Sequence, residues 1–151
     1  MNKLRIEKKD IYEIEVNDNG DTITFDLADI GLVARGYEAI EKVTKKMQEI
    51  EEKEQELIKN NADEKEFSDL ETKTFKELRE IMDSFLGKNA CQKIFGDRNY
   101  YDMYDDLFVE MSKPQEELGG KSHFEMLDMT SDGIKRRLIA KYGKTKSNEV
   151  I

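Results

Sequence analysis

Two short stretches near the start of the chain alternate strictly between apolar and polar residues. The apolar positions are Tyr12, Ile14, Val16, Ile23, Phe25 and Leu27. The connection between the stretches, Asn17 to Asp21, contains an Asn-Gly pair, which tolerates the positive φ of a tight reversal. The pattern therefore predicts a β-hairpin. Because an isolated hairpin is marginal in water, its apolar face must pack on later helices or on another chain.

A long helical period follows the predicted hairpin. Asp29 is a suitable N-cap, and apolar residues then recur every seven residues as far as about Asn60. They form two series, one with Val33, Ile40 and Met47, and the other with Gly36, Val43, Ile50 and Leu57. Such a seam packs against a partner helix, and the pattern allows that helix to lie in the same domain or in another chain.

A second helix is predicted between the Asn60–Asp63 connection and Gly87. Its apolar stripe consists of Phe67, Leu70, Thr74, Leu78, Ile81 and Phe85. Matching stripes on consecutive helices predict that the two pair as an antiparallel helical hairpin.

Glycines divide the stretch from Glu80 to Pro114 into helical pieces. Gly87 ends the second long helix, Lys88 to Phe95 forms a short helix that Gly96 stops, and Asp97-Arg98-Asn99 opens a third. The third helix carries large side chains at three- and four-residue spacings, namely Tyr100, Tyr101, Tyr104, Leu107, Phe108 and Met111. This spacing predicts one buried aromatic face.

The composition changes after Pro114. Gly119-Gly120 predicts a flexible joint, so we place a domain boundary there, with residues 1–118 as a hairpin plus helical domain and residues 119–151 as a basic tail. Thr130 and Ser131 are both suitable caps for one amphipathic helix in the tail. Its apolar face includes Ile134, Leu138 and Tyr142. Docking on the chain's own acidic domain, on a partner groove or on a membrane surface all stay open for this helix.

The predicted fold class is mainly α (α+β). It comprises an N-terminal β-hairpin, a long antiparallel helical hairpin and shorter C-terminal helices.

Composition and charge narrow the function. The chain has 151 residues, of which 39% are charged, a formal net charge of −9 and one proline. This suits one domain of long solvated helices. Nucleic-acid binding is disfavoured because phosphate recognition needs concentrated Lys and Arg. No apolar run reaches the roughly 20 residues of a membrane span, and the single cysteine excludes an internal disulfide. We therefore expect a soluble protein of a reducing cytoplasm that does not contact membranes.

Few residues suggest chemistry. The run from Glu15 to Asp26 imitates a calcium-loop spacing, but its flanks alternate like strands, so a hairpin turn is favoured. Asp102, Asp106 and Glu110 recur every four residues, and this pattern favours a solvated acidic face over a metal site.

The single histidine and the single cysteine also lack partners for chemistry. His123 has no metal-ligating or nucleophile motif beside it, and Cys91 fits a buried apolar thiol better than a reactive one. Nucleotide-binding motifs are missing as well. The sequence therefore predicts a non-enzymatic binding protein with no catalytic residue, no bound metal and no cofactor.

The order of these parts resembles a known family of phage proteins. The most specific part is the run from Phe85 to Asp97, with the sequence FLGKNACQKIFGD, and the similarity extends over about residues 10 to 118. In these features the chain resembles the small tail assembly chaperones of siphophages and prophages of Gram-positive bacteria.

The resemblance implies a function in phage assembly. Such proteins coat the tape measure protein in the host bacterial cytoplasm before tail tube subunits polymerise around it, and they are absent from the finished virion. The tape measure protein is therefore the expected partner, with the tail tube protein as a further one. A structural or scaffold component of the particle, or a helical protein-interaction adaptor, is the alternative.

A coat for an aggregation-prone helical client must offer apolar grooves while staying soluble. We place the partner-binding groove on the first long helix and on the aromatic helix. Its residues are Val33, Tyr37, Ile40, Val43, Met47, Tyr101, Tyr104 and Phe108. As a further hypothesis, the tail helix around Ile134, Leu138 and Tyr142 binds the acidic body of another copy, which gives head-to-tail self-association.

Overall fold

A computed structural model describes residues 1–128 of the chain. Strands β1 (Ile11–Glu15) and β2 (Thr22–Asp26) form a two-stranded sheet. Four α-helices follow, α1 (Leu32–Lys59), α2 (Glu64–Leu86), α3 (Ala90–Phe95) and α4 (Met103–Ser112), then a 3-10 turn at Glu116–Leu118 and a helical segment at residues 123–128. The predicted fold class, a β-hairpin followed by a long helical region and shorter helices, is confirmed.

The chain clusters into two compact units. Of the described residues, one unit contains 1–13, 25–33 and 105–128, and the other contains 14–24 and 34–104. We call them the discontinuous unit and the helical-hairpin unit. The sequence-based domain boundary between residues 118 and 119 stays a prediction.

The turn of the β-hairpin is held by one asparagine side chain. Asn17 Oδ1 accepts hydrogen bonds from the backbone N–H groups of Asn19 at 2.9 Å and Asp21 at 3.2 Å. Gly20 adopts a φ of 82°, which the Asn-Gly pair predicted. On β2, Ile23 and Phe25 are buried. The predicted hairpin is thus confirmed.

Helices α1 and α2 run antiparallel in the helical-hairpin unit. Gly36 near the start of α1 lies against Phe85 near the end of α2. Further along α1, Lys46 forms an ion pair with Glu77 at 2.5 Å. Later residues of α1 thus contact earlier residues of α2, as in an antiparallel pair. The hairpin buries a core that includes Val43, Ile50, Leu78 and Met82.

The ends of the two long helices match the sequence prediction closely, with one shift. Asp63 caps α2 by accepting from the Glu66 backbone N–H at 3.0 Å, and Gly87 follows its last residue. Helix α1 begins at Leu32, three residues after the predicted cap Asp29. The Asp29 carboxylate instead accepts from the Gly31 N–H at 2.9 Å and holds a single turn before the helix.

The predicted third helix begins later than expected. Asp97-Arg98-Asn99 does not open it, because α4 starts at Met103 and Tyr100 and Tyr101 lie in the preceding turns. The physical reason is Arg79 on α2, whose guanidinium donates to the Gly96 carbonyl at 2.9 Å and the Arg98 carbonyl at 2.7 Å. Carbonyls held by this side chain keep the segment in a loop.

The discontinuous unit contains a short helix that the sequence analysis did not predict. Ser122 Oγ accepts from the Glu125 N–H at 3.1 Å, while the Glu125 carboxylate accepts from the Ser122 N–H at 3.3 Å. This reciprocal pair is a capping box for the segment 123–128. The predicted tail helix with Ile134, Leu138 and Tyr142 lies outside the described residues.

Candidate functional site

The predicted partner groove begins on α1, and helix geometry divides its residues into two groups. Tyr37 is 65% exposed, and Ile40 and Met47 are half-buried. With spacings of three and seven residues, these three lie along one side of the helix. Val43 is only 2% exposed, because it belongs to the series that faces α2. It therefore cannot line an accessible groove.

We call Tyr37, Ile40 and Met47 the α1 stripe. Its surroundings are strongly polar, since Glu41, Thr44 and Gln48 are exposed between its members. The α1 stripe is therefore a narrow apolar strip on a solvated helix. In helix-in-groove recognition, the helix that enters the groove carries such a strip. Val33, half-buried in the first turn of α1, belongs to the discontinuous unit.

The three aromatic residues assigned to the groove have different environments. Tyr104 is buried, with its ring centroid 5.7 Å from that of Phe95 and its hydroxyl 3.8 Å from Cys91 Sγ. Phe108 belongs to the discontinuous unit, where its ring centroid lies 6.4 Å from that of Phe124. Tyr104 is thus a core residue, and Tyr101 is the most accessible of the three.

Tyr101 connects the two long helices. Its hydroxyl contacts the carboxylate of Glu54 on α1 and donates to Glu71 Oε2 on α2 at 3.0 Å. Its ring packs edge-to-face on Phe75 with centroids 5.8 Å apart. Burial and the two carboxylates raise the pKa of Tyr101, so the phenol keeps its proton and acts as a donor. Its role in the structure is to fasten the helical hairpin.

The segment from Phe85 to Asp97 is organised from α2 by two charged residues. Asp83 Oδ1 accepts from the backbone N–H of Cys91 at 2.8 Å. Arg79 donates to the backbone carbonyls of Gly96 and Arg98 and also to Asn99 Oδ1, which lies at 2.8 Å. Sequence analysis missed Arg79, because nothing in the spacing of a charged surface residue indicates that it will bind backbone carbonyls 17 and 19 positions away.

Cys91 is unsuited to nucleophilic chemistry. Its side chain is buried, and burial together with Asp83 raises the pKa of the thiol to about 12. A reactive thiol needs a lowered pKa and access to solvent. The most specific run of the sequence is therefore built around a core thiol.

A shallow cleft of about 480 Å³ follows the side of the helical hairpin. It is lined mainly by charged side chains of both signs, which include Glu38, Lys42, Lys46 and Glu77. Two ion pairs, Lys42–Glu38 at 2.9 Å and Lys46–Glu77 at 2.5 Å, satisfy these groups internally. These four charged groups are thus paired with each other, whereas a typical small-molecule site directs polar groups at its ligand.

Residues 1–128 contain neither a metal-binding cluster nor a helix that could span a membrane. No group of three or more acidic, His or Cys side chains in that range could hold a metal ion. Asp102, Asp106 and Glu110 are each exposed, and Asp102 precedes α4. Nor does any helix in the same range have the length and apolar character to cross a bilayer.

Comparison with known proteins identifies a family. A family model described as "Family of unknown function (DUF6673)" matches residues 19–148, most of the chain. The chain belongs to this family. The DUF6673 match begins within the hairpin turn and includes β2, the helical hairpin and the segment around Cys91. Searches of curated proteins and of solved structures found no match.

Proposed function

We propose that this DUF6673 protein is a non-enzymatic tail assembly chaperone that binds the tape measure protein in the cytoplasm of a phage-infected bacterium. Tail tube subunits are the second proposed partner. The proposal rests on the resemblance carried by the run from Phe85 to Asp97. The structural observation that supports it best is the α1 stripe.

The stripe has the physical properties that such a chaperone needs. Tyr37, Ile40 and Met47 present apolar surface at helical spacing, so they can pack against an amphipathic client helix. The protein carries a net charge of −9, which keeps a protein with exposed apolar surface from associating with itself non-specifically. The buried thiol and the internally paired charges of the cleft favour binding over catalysis.

The test is co-expression with the tape measure protein of the same phage, followed by size exclusion with light scattering. We expect the two proteins to elute together and the client to become soluble. Tyr37→Glu should weaken co-elution, because it places a charge in the apolar strip. Ser68→Glu is the matched control, since residue 68 is exposed on α2, outside the α1 stripe, and gains the same charge.

Two outcomes would contradict the proposal. An insoluble client beside a chaperone that elutes alone would remove the tape measure protein as the partner. Detection of this protein in purified phage particles would favour a structural or scaffold component, because a tail assembly chaperone leaves before the virion is complete.

A further inference from the structure

Residues 1–9 form an arm whose side chains are all exposed. Leu4 is 92% and Ile6 is 88% exposed, which is unusual for large aliphatic residues. The arm alternates in the manner of a strand, with charged side chains on either side of each aliphatic one. Four of its residues are basic, namely Lys3, Arg5, Lys8 and Lys9. An alternating apolar and basic arm leads directly into β1.

Strand β1 has a neighbour on one side only. In the described sheet it pairs with β2 alone. Val16 N–H donates to Asp21 O at 2.9 Å, and Leu27 N–H donates to Asp10 O at 2.8 Å. On the β1 side, these bonds use the even-numbered residues Asp10 and Val16. The backbone groups of the odd-numbered residues Ile11, Glu13 and Glu15 therefore point to the opposite edge of the strand. That edge can accept another strand.

We propose that the arm of one copy pairs antiparallel with β1 of a second copy, about a two-fold axis at Lys9. The two copies then form one continuous four-stranded sheet. In this register the pairs between copies are Lys3 with Glu15, Leu4 with Ile14, Arg5 with Glu13, Ile6 with Tyr12, Glu7 with Ile11, and Lys8 with Asp10. Lys3–Glu15 and Arg5–Glu13 bring opposite charges together on one face. On the other face, Leu4–Ile14 and Ile6–Tyr12 are apolar pairs and Lys8–Asp10 is a pair of opposite charges.

The register follows from the residue pattern. Only odd-numbered residues can bond across the free edge, so the pairing can shift only in steps of two. A shift in one direction places Glu7 opposite Glu13, and a shift in the other places Ile6 opposite Asp10. Lys9 meets its own copy on the axis, where Glu7 of the other copy is its diagonal neighbour. The proposed register avoids both mismatches and keeps the favourable pairs, at the cost of Glu7 opposite Ile11 and of Lys9 opposite its own copy.

A second copy, and not the same chain, supplies the arm. Within one chain the same pairs would need a tight turn at Lys8–Asp10. Asp10 lies in a bend just before β1, where its carbonyl accepts from the Leu27 N–H at 2.8 Å, and the segment has no Gly or Asn to adopt the positive φ that three-residue turns use. Burial of the exposed Leu4 and Ile6 beside half-buried Tyr12 and Ile14 supplies the apolar contribution.

Cysteine cross-linking tests the axis directly. Residues opposite each other in a bonded antiparallel pair have Cα atoms about 5.5 Å apart, which suits a disulfide. We expect Lys9→Cys to form a disulfide-linked dimer under mild oxidation. Lys3→Cys is the matched control, because its two copies would lie at opposite ends of the paired strands. The native Cys91 is buried and should not react.

Charge exchange tests the register. Arg5→Glu should raise the dimer dissociation constant about tenfold, because two cross-strand pairs become repulsive. Glu13→Arg should do the same, and the double variant should restore dimerisation. Analytical ultracentrifugation measures all three. If the charges of β1 only protected its edge from pairing, the double variant would not restore dimerisation.

Two results would overturn the proposal. A wild-type protein that stays monomeric at every concentration, with no Lys9→Cys dimer, excludes the paired arms. An Arg5→Cys, Glu13→Cys variant that cross-links within one chain shows that the arm folds back on its own β1. Neither result bears on binding to a tape measure protein, so the inference and the proposed function are tested separately.

Discussion

Gly36→Ala is the substitution whose outcome the structure determines most sharply. In the middle of a helix, alanine is normally about 1 kcal/mol more favourable than glycine. At this position, however, an added Cβ would lie 2.9 Å from Phe85 Cε1 and 3.0 Å from Cζ. Forcing a methyl group into a packed core costs about 1–3 kcal/mol. We therefore expect a net loss of about 1 kcal/mol from the free energy of unfolding.

The sign of the effect should depend on Phe85. In a Phe85→Leu background the ring edge that obstructs the methyl group is gone, so Gly36→Ala should stabilise the protein by up to about 1 kcal/mol. Ala34→Gly, at an exposed position of α1, calibrates helix propensity in the same helix. Urea denaturation followed by circular dichroism at the helix band measures all the variants.

The close packing of α1 on α2 would be refuted by one result. If Gly36→Ala stabilised the protein equally with and without the Phe85 ring, the two helices would not approach each other closely there. A loss of about 1 kcal/mol should lower the melting temperature by about 2–4 °C for a protein of this size.

Two further predictions concern single side chains. Arg79→Lys keeps the charge but loses the planar set of donors to the loop carbonyls, so we expect the free energy of unfolding to fall by about 2 kcal/mol. Urea denaturation measures this change. An unchanged midpoint would contradict the role of Arg79 in holding the loop. Burial lowers the pKa of His123 below its ordinary 6.5, so the folded state binds fewer protons there and stability should fall as the pH drops below about 6.5. Because His123 is the only histidine, its imidazole NMR signal reports this pKa, and a folded-state pKa at or above 6.5 would contradict the expected pH dependence.

The sequence predicted those elements whose signals are local. The Asn-Gly turn, the Asn60–Asp63 connection and the Gly87 stop each act within a few residues, so the hairpin and the limits of α2 were found. The capping box at Ser122 and Glu125 is an equally local signal, but it was overlooked. A serine followed three residues later by glutamate predicts the start of that helix.

Other features depend on residues distant in the chain. Both seven-residue series of α1 are apolar, and only the contact of Gly36 with Phe85 shows which series faces α2. That is why Val43 was wrongly assigned to an accessible groove. Likewise, the start of α4 depends on Arg79, and the fastening role of Tyr101 depends on two glutamates from separate helices. Periodicity within one segment contains no information about such partners.

The hydrogen bond between Tyr12 and His123 has a consequence for the order of folding. The Tyr12 hydroxyl lies 2.5 Å from His123 Nδ1, and the two residues are 111 positions apart. By contrast, the contacts of Arg79 span at most 20 positions. On the ribosome, the Arg79 loop can therefore form as soon as residue 99 emerges. The Tyr12 contact must wait for His123, so β1 stays without this partner for most of synthesis.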